Sequence, residues 1–168
     1  KARYPSWEAV RDAPLDELKE TIRTAGLANQ KAPRIQESLR IIEQEAGALS
    51  LDFLKEMTVE EAKAWLTRIK GIGHKTASII LLFSLNKPAF PVDTHVYRVT
   101  KRLGLQAENN PDKAHEVLEA VVPAEDYYAF HLQIIQHGRE VCHARGPHCA
   151  RCVLQDHCAY FAGLPAGA

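Results

Sequence analysis

The stretch Ile69-Lys70-Gly71-Ile72-Gly73-His74-Lys75-Thr76-Ala77, followed by the apolar run Ile79-Ile80-Leu81-Leu82-Phe83, decides the reading of this chain. It reads as the end of one helix, a tight Gly-x-Gly hairpin and the start of another helix. The helix before it opens with a capping box, Thr58-Val59-Glu60-Glu61, whose outer residues each satisfy a free N–H of the first turn. Gly71 and Gly73 permit backbone angles that other residues resist, and they let a second backbone approach closely. The helix that follows presents unpaired N–H groups and a partial positive charge at its start, which suits a phosphate. Lys75 lies in its first turn. A lone Gly-x-Gly is a weak signal, more often a turn without a ligand, so its meaning depends on its surroundings.

Working outward, the helix over 75–86 spans about 16 Å at 1.5 Å per residue. Pro88 and Pro91 then break the chain before Val92-Asp93-Thr94-His95. Fully extended, residues 86–93 reach about 24 Å, enough to return along the helix and set Asp93 beside Lys75. Asp93 is also placed to cap a helix over 95–103, ended by Gly104. A carboxylate held there by backbone N–H groups stays ionised. On spacing alone, capping is the simpler account of Asp93.

Composition bounds the class. The 168 residues suit one compact domain or two small ones, and 46% hydrophobic with 25% charged residues describes a globular chain. No apolar run approaches bilayer length and no signal peptide is visible, so a soluble intracellular protein is expected. The first residue is Lys1, as expected of a fragment. Net charge is zero, which argues against a strongly basic polyanion binder, but its distribution is uneven. Residues 63–102 carry +7, residues 1–62 carry −3, residues 108–126 carry −5 and residues 127–168 carry +1. Charge runs are usually solvated faces; a basic one centred on a phosphate-suited turn points to a polyanion.

The coarse reading is all-α. Ser6 caps a short helix at Trp7-Glu8-Ala9-Val10. A second helix begins at Pro14 or Leu15, carries Leu18 and Ile22, and stops at Gly26. A longer one runs from about Gln30 to near Gly47, with Pro33 tolerable only in its first turn. Leu51-Asp52-Phe53-Leu54 is a short turn. Asn110-Pro111 opens a helix with Val117, Leu118 and Val121 inward. The last helix covers about 123–141, with Tyr127, Phe130, Ile134 and Ile135 as its core stripe.

Four cysteines, Cys142, Cys149, Cys152 and Cys158, form a C-x6-C-x2-C-x5-C loop after that helix. Disulfides are rare inside cells, and clustering argues against unrelated thiols, so metal ligation fits best. Only Cys149 and Cys152 make a short knuckle, which mildly disfavours zinc. The spacing also differs from ferredoxin runs, so it does not choose the metal centre. Nearby His143, His148 and His157 read as polar loop residues.

Taken together, the Gly71-to-Ala77 run, Val92-Asp93-Thr94-His95 and the cysteine loop resemble bacterial endonuclease III, of the helix-hairpin-helix, Gly/Pro-rich-loop-plus-Asp superfamily of base-excision DNA glycosylases. The resemblance covers nearly the whole chain, with the motifs in family order. It implies a helix-hairpin-helix DNA glycosylase fold with a C-terminal iron–sulfur loop. Residues 1–92 would form a partial helical barrel with the hairpin unit at 58–86. Residues 93–168 would form a cluster domain with a 4Fe–4S cluster held at 142–158. It implies Lys75 as nucleophile, Asp93 as the accompanying carboxylate, and DNA contacts from Lys70, Gly71, Ile72, Gly73, His74, Arg145 and Arg151. Relatives that act by simple hydrolysis carry another residue at the position of Lys75, so the implied activity is a combined glycosylase and AP lyase. Oxidised pyrimidines are the implied substrates, taken from damaged or abasic duplex DNA by a monomer in the bacterial cytoplasm, at the nucleoid. The Lys75 amine must be neutral to attack C1′, and burial, the helix N-terminus and Lys70 are expected to favour that form.

Two departures stand out. Lys70 replaces the usual Pro before the hairpin, and the family's N-terminal helices have no counterpart here, as in a truncated chain. Three other readings compete: a monofunctional mismatch glycosylase, an iron–sulfur redox sensor, and a non-catalytic DNA-binding module that would leave Lys75 exposed.

Overall fold

A computed structural model of the chain describes residues 3–163, and among these every regular element is helical. No helix among them is long and apolar enough to cross a membrane. The chain divides into two compact units, Lys1–Gly73 and His74–Ala168. This division falls inside the hairpin stretch, whereas the sequence reading set its boundary after residue 92.

In the first unit, α1 (Trp7–Asp12) is capped by Ser6, whose hydroxyl accepts from Ala9 N at 3.2 Å. Helix α2 (Leu15–Thr21) continues into a 3-10 turn, Arg23–Ala25, and ends at Gly26 with φ +70°. Helix α3 (Ala28–Ala46) stops at left-handed Gly47. It begins earlier than expected, so Pro33 lies beyond the first turn and deprives the ladder of one N–H. Buried Gln36 ties α3 to the end of α1, donating to the carbonyls of Val10 (3.1 Å) and Ala13 (2.7 Å). Helix α4 (Val59–Thr67) shows both arms of its capping box. Its buried face, Ala62 and Leu66, continues through Ile69 to the hairpin, so the apolar stripe anchors the turn.

The second unit opens with α5 (His74–Ile79), which widens into a π-helical turn, Ile80–Ser84, in place of the expected plain α-helix over 75–86. The chain leaves it through Asn86 at φ +52°, with Lys87 N reaching back to Leu81 O at 2.8 Å. The wider winding accommodates that closure. Helices α6 (Thr94–Leu103), α7 (Pro111–Val121) and α8 (Tyr127–Glu140) complete the unit. Phe90, Val96, Val99, Leu118, Tyr127 and Ile134 form its core. Each such buried side chain contributes about 1.5–3 kcal/mol of transfer free energy. Val121, expected inward, is half exposed, and Val122 is buried instead, because α7 ends at Val121 and the backbone turns extended. Helices α6 and α8 meet at Gly138, where an added Cβ would lie 3.0 Å from His95 Nδ1 and 3.1 Å from His95 Cβ.

Candidate functional site

The hairpin turns at Ile69-Lys70-Gly71-Ile72, closed by Ile72 N donating to Ile69 O at 2.9 Å. Gly71 adopts φ +101°, open only to glycine at low cost, and its Cβ position lies 2.9 Å from Arg34 Cδ. Gly73 has neither constraint, since an added Cβ would meet nothing within 4 Å. Of the two glycines, only Gly71 is therefore required by backbone geometry. Lys70, Gly71 and Ile72 share a groove with Leu27, Lys31 and Arg34 of α3 and its approach. Lys31, Arg34 and Lys70 are exposed, and Leu27 is 67% exposed in a left-handed backbone conformation at φ +54°. The groove thus joins the Gly71 turn, three cations and one protruding leucine. His74, the first residue of α5, is exposed, and its ring lies 6.3 Å from that of His115.

Lys75 projects into solvent from the first turn of α5, so the burial expected to favour its neutral amine is not found. Asp93 is the N-cap of α6, its Oδ1 accepting from His95 N and Val96 N at 2.8 Å each. The strap leading to it is held by side chains from α7 and α8. Glu119 accepts from Phe90 N (2.9 Å), His115 Nδ1 bonds Phe90 O (2.8 Å), and His131 Nδ1 bonds Pro91 O (3.0 Å). These contacts satisfy backbone groups that burial of Phe90 and Pro91 would otherwise strand. Burial holds the His131 imidazole below its ordinary range, against the opposing pull of the Pro91 hydrogen bond and of Asp93, while Lys75 lowers it further. Lys75 and Asp93 thus belong to the same compact unit, one exposed at the start of α5 and the other fixed as the cap of α6.

All four cysteines are free thiols lining one cavity, walled by Val99, Leu103, Val141 and Phe161. N–H donors meet the sulfurs, from Arg102 Nη1 to Cys142 Sγ (3.3 Å) and from Leu154 N to Cys152 Sγ (3.4 Å), with His137 Nε2 at 3.6 Å from Cys152 Sγ. Arg102 also donates to the carbonyls of His143 (2.6 Å) and Ala144 (3.0 Å) and lies over the Tyr160 ring at 4.8 Å. It thereby staples both ends of the loop to α6. Among the described residues, no three His, Cys, Asp or Glu side chains are gathered to hold a single metal ion. The donor set nevertheless fits a thiolate-bound cluster: four sulfurs around one apolar cavity, with N–H groups to disperse their charge. Arg145 and Arg151 are exposed on this loop, and Arg151 Nη2 donates to Glu140 O at 2.7 Å.

Sequence reasoning missed Leu27, Lys31, Arg34, Arg102, Glu119, His115 and His131. Lys31 and Arg34 were hidden in a segment of net negative charge, and the histidines lay on apolar helix faces where a core role is the default.

Residues 1–124 match the HhH-GPD superfamily base excision DNA repair protein model. Endonuclease III of Thermotoga maritima is 32% identical over 94% of this chain and 70% of its own length. Endonuclease III of Escherichia coli K12 is 36% identical over 90% of this chain and 68% of its own length. A solved non-covalent endonuclease III–DNA complex superposes with a TM-score of 0.80 at 29% identity, over 96% of this chain and 72% of that one. The chain belongs to the HhH-GPD superfamily of base excision DNA repair proteins.

Proposed function

We propose that the protein is a base-excision DNA glycosylase with AP-lyase activity, acting through Lys75 and Asp93 on duplex DNA. The observation that carries this reading is that α5 presents Lys75 in the open while backbone N–H groups fix the Asp93 carboxylate at the start of α6 in the same compact unit. The target nucleotide is extruded from the duplex. The neutral Lys75 amine attacks C1′, and the base departs with the electron pair of the glycosidic bond. Ionised Asp93 stabilises the cationic sugar. Ring opening gives a Schiff base, which acidifies the 2′ proton; its loss expels the 3′ phosphate, and water then frees the lysine. Oxidised pyrimidines are the substrate class that the resemblance to endonuclease III supports. Incubating the chain with abasic and with oxidised-pyrimidine duplexes in the presence of borohydride tests the proposal, because reduction of the imine leaves a covalent protein–DNA adduct. The exposure of Lys75 favours a second reading, a DNA-binding module without chemistry; absence of both adduct and strand cleavage would select it.

The hairpin groove supports phosphate binding, with Leu27 as an apolar wedge of the kind that enters a deformed base step. Affinity for duplex DNA is expected to fall with salt. Each of Lys31, Arg34 or Lys70 that meets a phosphate should flatten the log–log slope by about 0.9 when replaced by Ala. Gly71→Ala should weaken binding to every sequence more than Gly73→Ala does, since only Gly71 has a positive φ and a crowded Cβ. Equal losses in a fluorescence-anisotropy titration would remove Gly71 from the phosphate grip.

The cysteine cavity supports a 4Fe–4S cluster, which when bound would serve as the internal staple of a loop otherwise short of core. A single zinc held by the same four thiolates is the competing occupant. The purified protein is expected to be brown, with iron and sulfide in equal amounts. Cys149→Ser should lose colour and expose residues 142–158 to protease before the helical part. A colourless protein with stoichiometric zinc would overturn the assignment.

A further inference from the structure

His131 on α8 is used by no step above, yet it holds the strap two residues before Asp93. It is 3% exposed, and its ring is packed edge-on against Phe83 (5.6 Å) and Phe90 (6.2 Å), which fixes its orientation. Its Nδ1 lies 3.0 Å from the Pro91 carbonyl oxygen. A carbonyl only accepts, so Nδ1 carries the hydrogen and Nε2 keeps a lone pair. No other hydrogen bond of this ring is recorded among the described residues. The charged groups acting on it are Lys75 from α5 and Asp93 from the end of the strap.

We infer that His131 is a positioning residue of the proposed lyase: through Nδ1 it grips the Pro91 carbonyl, and with it the strap that carries Asp93. The inference rests on the reading of Lys75 and Asp93 as the reacting groups. The strap contains Pro91, which offers no N–H, so its carbonyl is the handle by which a side chain can set where Asp93 begins. An imidazolium here would pair with Asp93 and withdraw that carboxylate from the sugar cation. A neutral ring leaves it available. Burial favours the neutral form over the pull of Asp93.

Two substitutions separate positioning from mere core filling. His131→Asn retains an amide N–H close to the place of Nδ1 and loses Nε2, whereas His131→Leu keeps bulk and loses both. The single-turnover trapping rate on abasic duplex should fall about 100-fold in His131→Leu, as a small misplacement of a reacting group does, with DNA affinity changed less than about twofold. His131→Asn should recover at least about tenfold of that loss. Wild-type trapping in His131→Leu, or an equal loss in both variants, would overturn the inference. A second measurement does not depend on activity. Imidazole titration by NMR in the full chain should show Nδ1–H as the neutral tautomer. The His131 pKa should rise in Lys75→Ala and fall in Asp93→Asn, because Lys75 disfavours and Asp93 favours the charged ring. A titration indifferent to both changes would place His131 outside the pair even if trapping proceeds. Failure of the unaltered chain to trap would instead sink the lyase reading, leaving the titration to decide whether His131 addresses these two residues.

Discussion

Lys75→Ala is expected to abolish borohydride trapping and strand cleavage at abasic sites while leaving most of the affinity for duplex DNA. The amine is the group proposed to bond C1′, so its removal leaves nothing to form the imine, and the loss should reach the uncatalysed background. The fold should not notice. Lys75 is exposed at the start of α5, and exposed substitutions away from caps and cores usually move stability by less than about 0.5 kcal/mol. Binding should weaken by no more than one phosphate contact, about 0.9 in the salt slope, because the hairpin groove lies elsewhere in the sequence with its own cations. Since Lys75 stands in solvent until DNA covers the site, trapping and DNA binding should show the same salt dependence. Adduct formation by the Ala variant, read on a denaturing gel, would move the nucleophile to another residue.

Asp93→Asn is expected to lower single-turnover glycosylase and lyase rates by about 10²–10³-fold, the range for removing one charge stabiliser of a transition state. Asn and Asp are comparable N-caps, so the two bonds from His95 N and Val96 N can persist. The lost charge at the start of α6 costs about 0.3–1 kcal/mol through the helix dipole. Melting temperature should therefore barely move as turnover collapses. Asp93→Ala removes the cap as well and should cost about 1 kcal/mol of stability. If Asp93→Asn loses stability and activity in proportion, Asp93 is a cap and nothing more, the simpler account that its spacing first suggested. If activity alone falls, the carboxylate acts on the sugar.

What could be read without coordinates was local. The capping box at Thr58 and Glu61, the Ser6 and Asn110 caps, the stops at Gly26, Gly47 and Gly104 and the cap at Asp93 all stand where the residue types placed them. Each of these is decided within one turn of chain, by hydrogen bonds between residues two to four apart or by a positive φ that glycine accepts. The π-helical turn at Ile80–Ser84 was not legible, because an apolar run has the same pattern whether it winds by four or five residues. The burial of Val122 in place of Val121 depended on where α7 stopped.

The candidate site divides along the same line. The hairpin, the Asp93 cap and the cysteine loop were legible in the order and spacing of the residues, since each is set within a short segment, whereas the proposed pairing of Lys75 with Asp93 came only from the family resemblance. Three things were decided by tertiary structure alone. Arg34 reaches Gly71, and Lys31 lines the same groove, only because α3 packs within the same unit, which turns a locally acidic segment into part of a basic groove. Gly138 matters because α6 passes within 3.0 Å of where its Cβ would be. His131, an apolar-face histidine by its spacing, gains meaning only where the Pro91 carbonyl meets its Nδ1 from another segment. The sequence by itself determined most caps and stops of the helices, because those are set by residue type and short-range geometry, and by its family resemblance it nominated Lys75 and Asp93 as the proposed reacting groups. Which side chains surround those groups, and hence their charge state and reach, was set by packing between segments far apart in the chain, which no local pattern records.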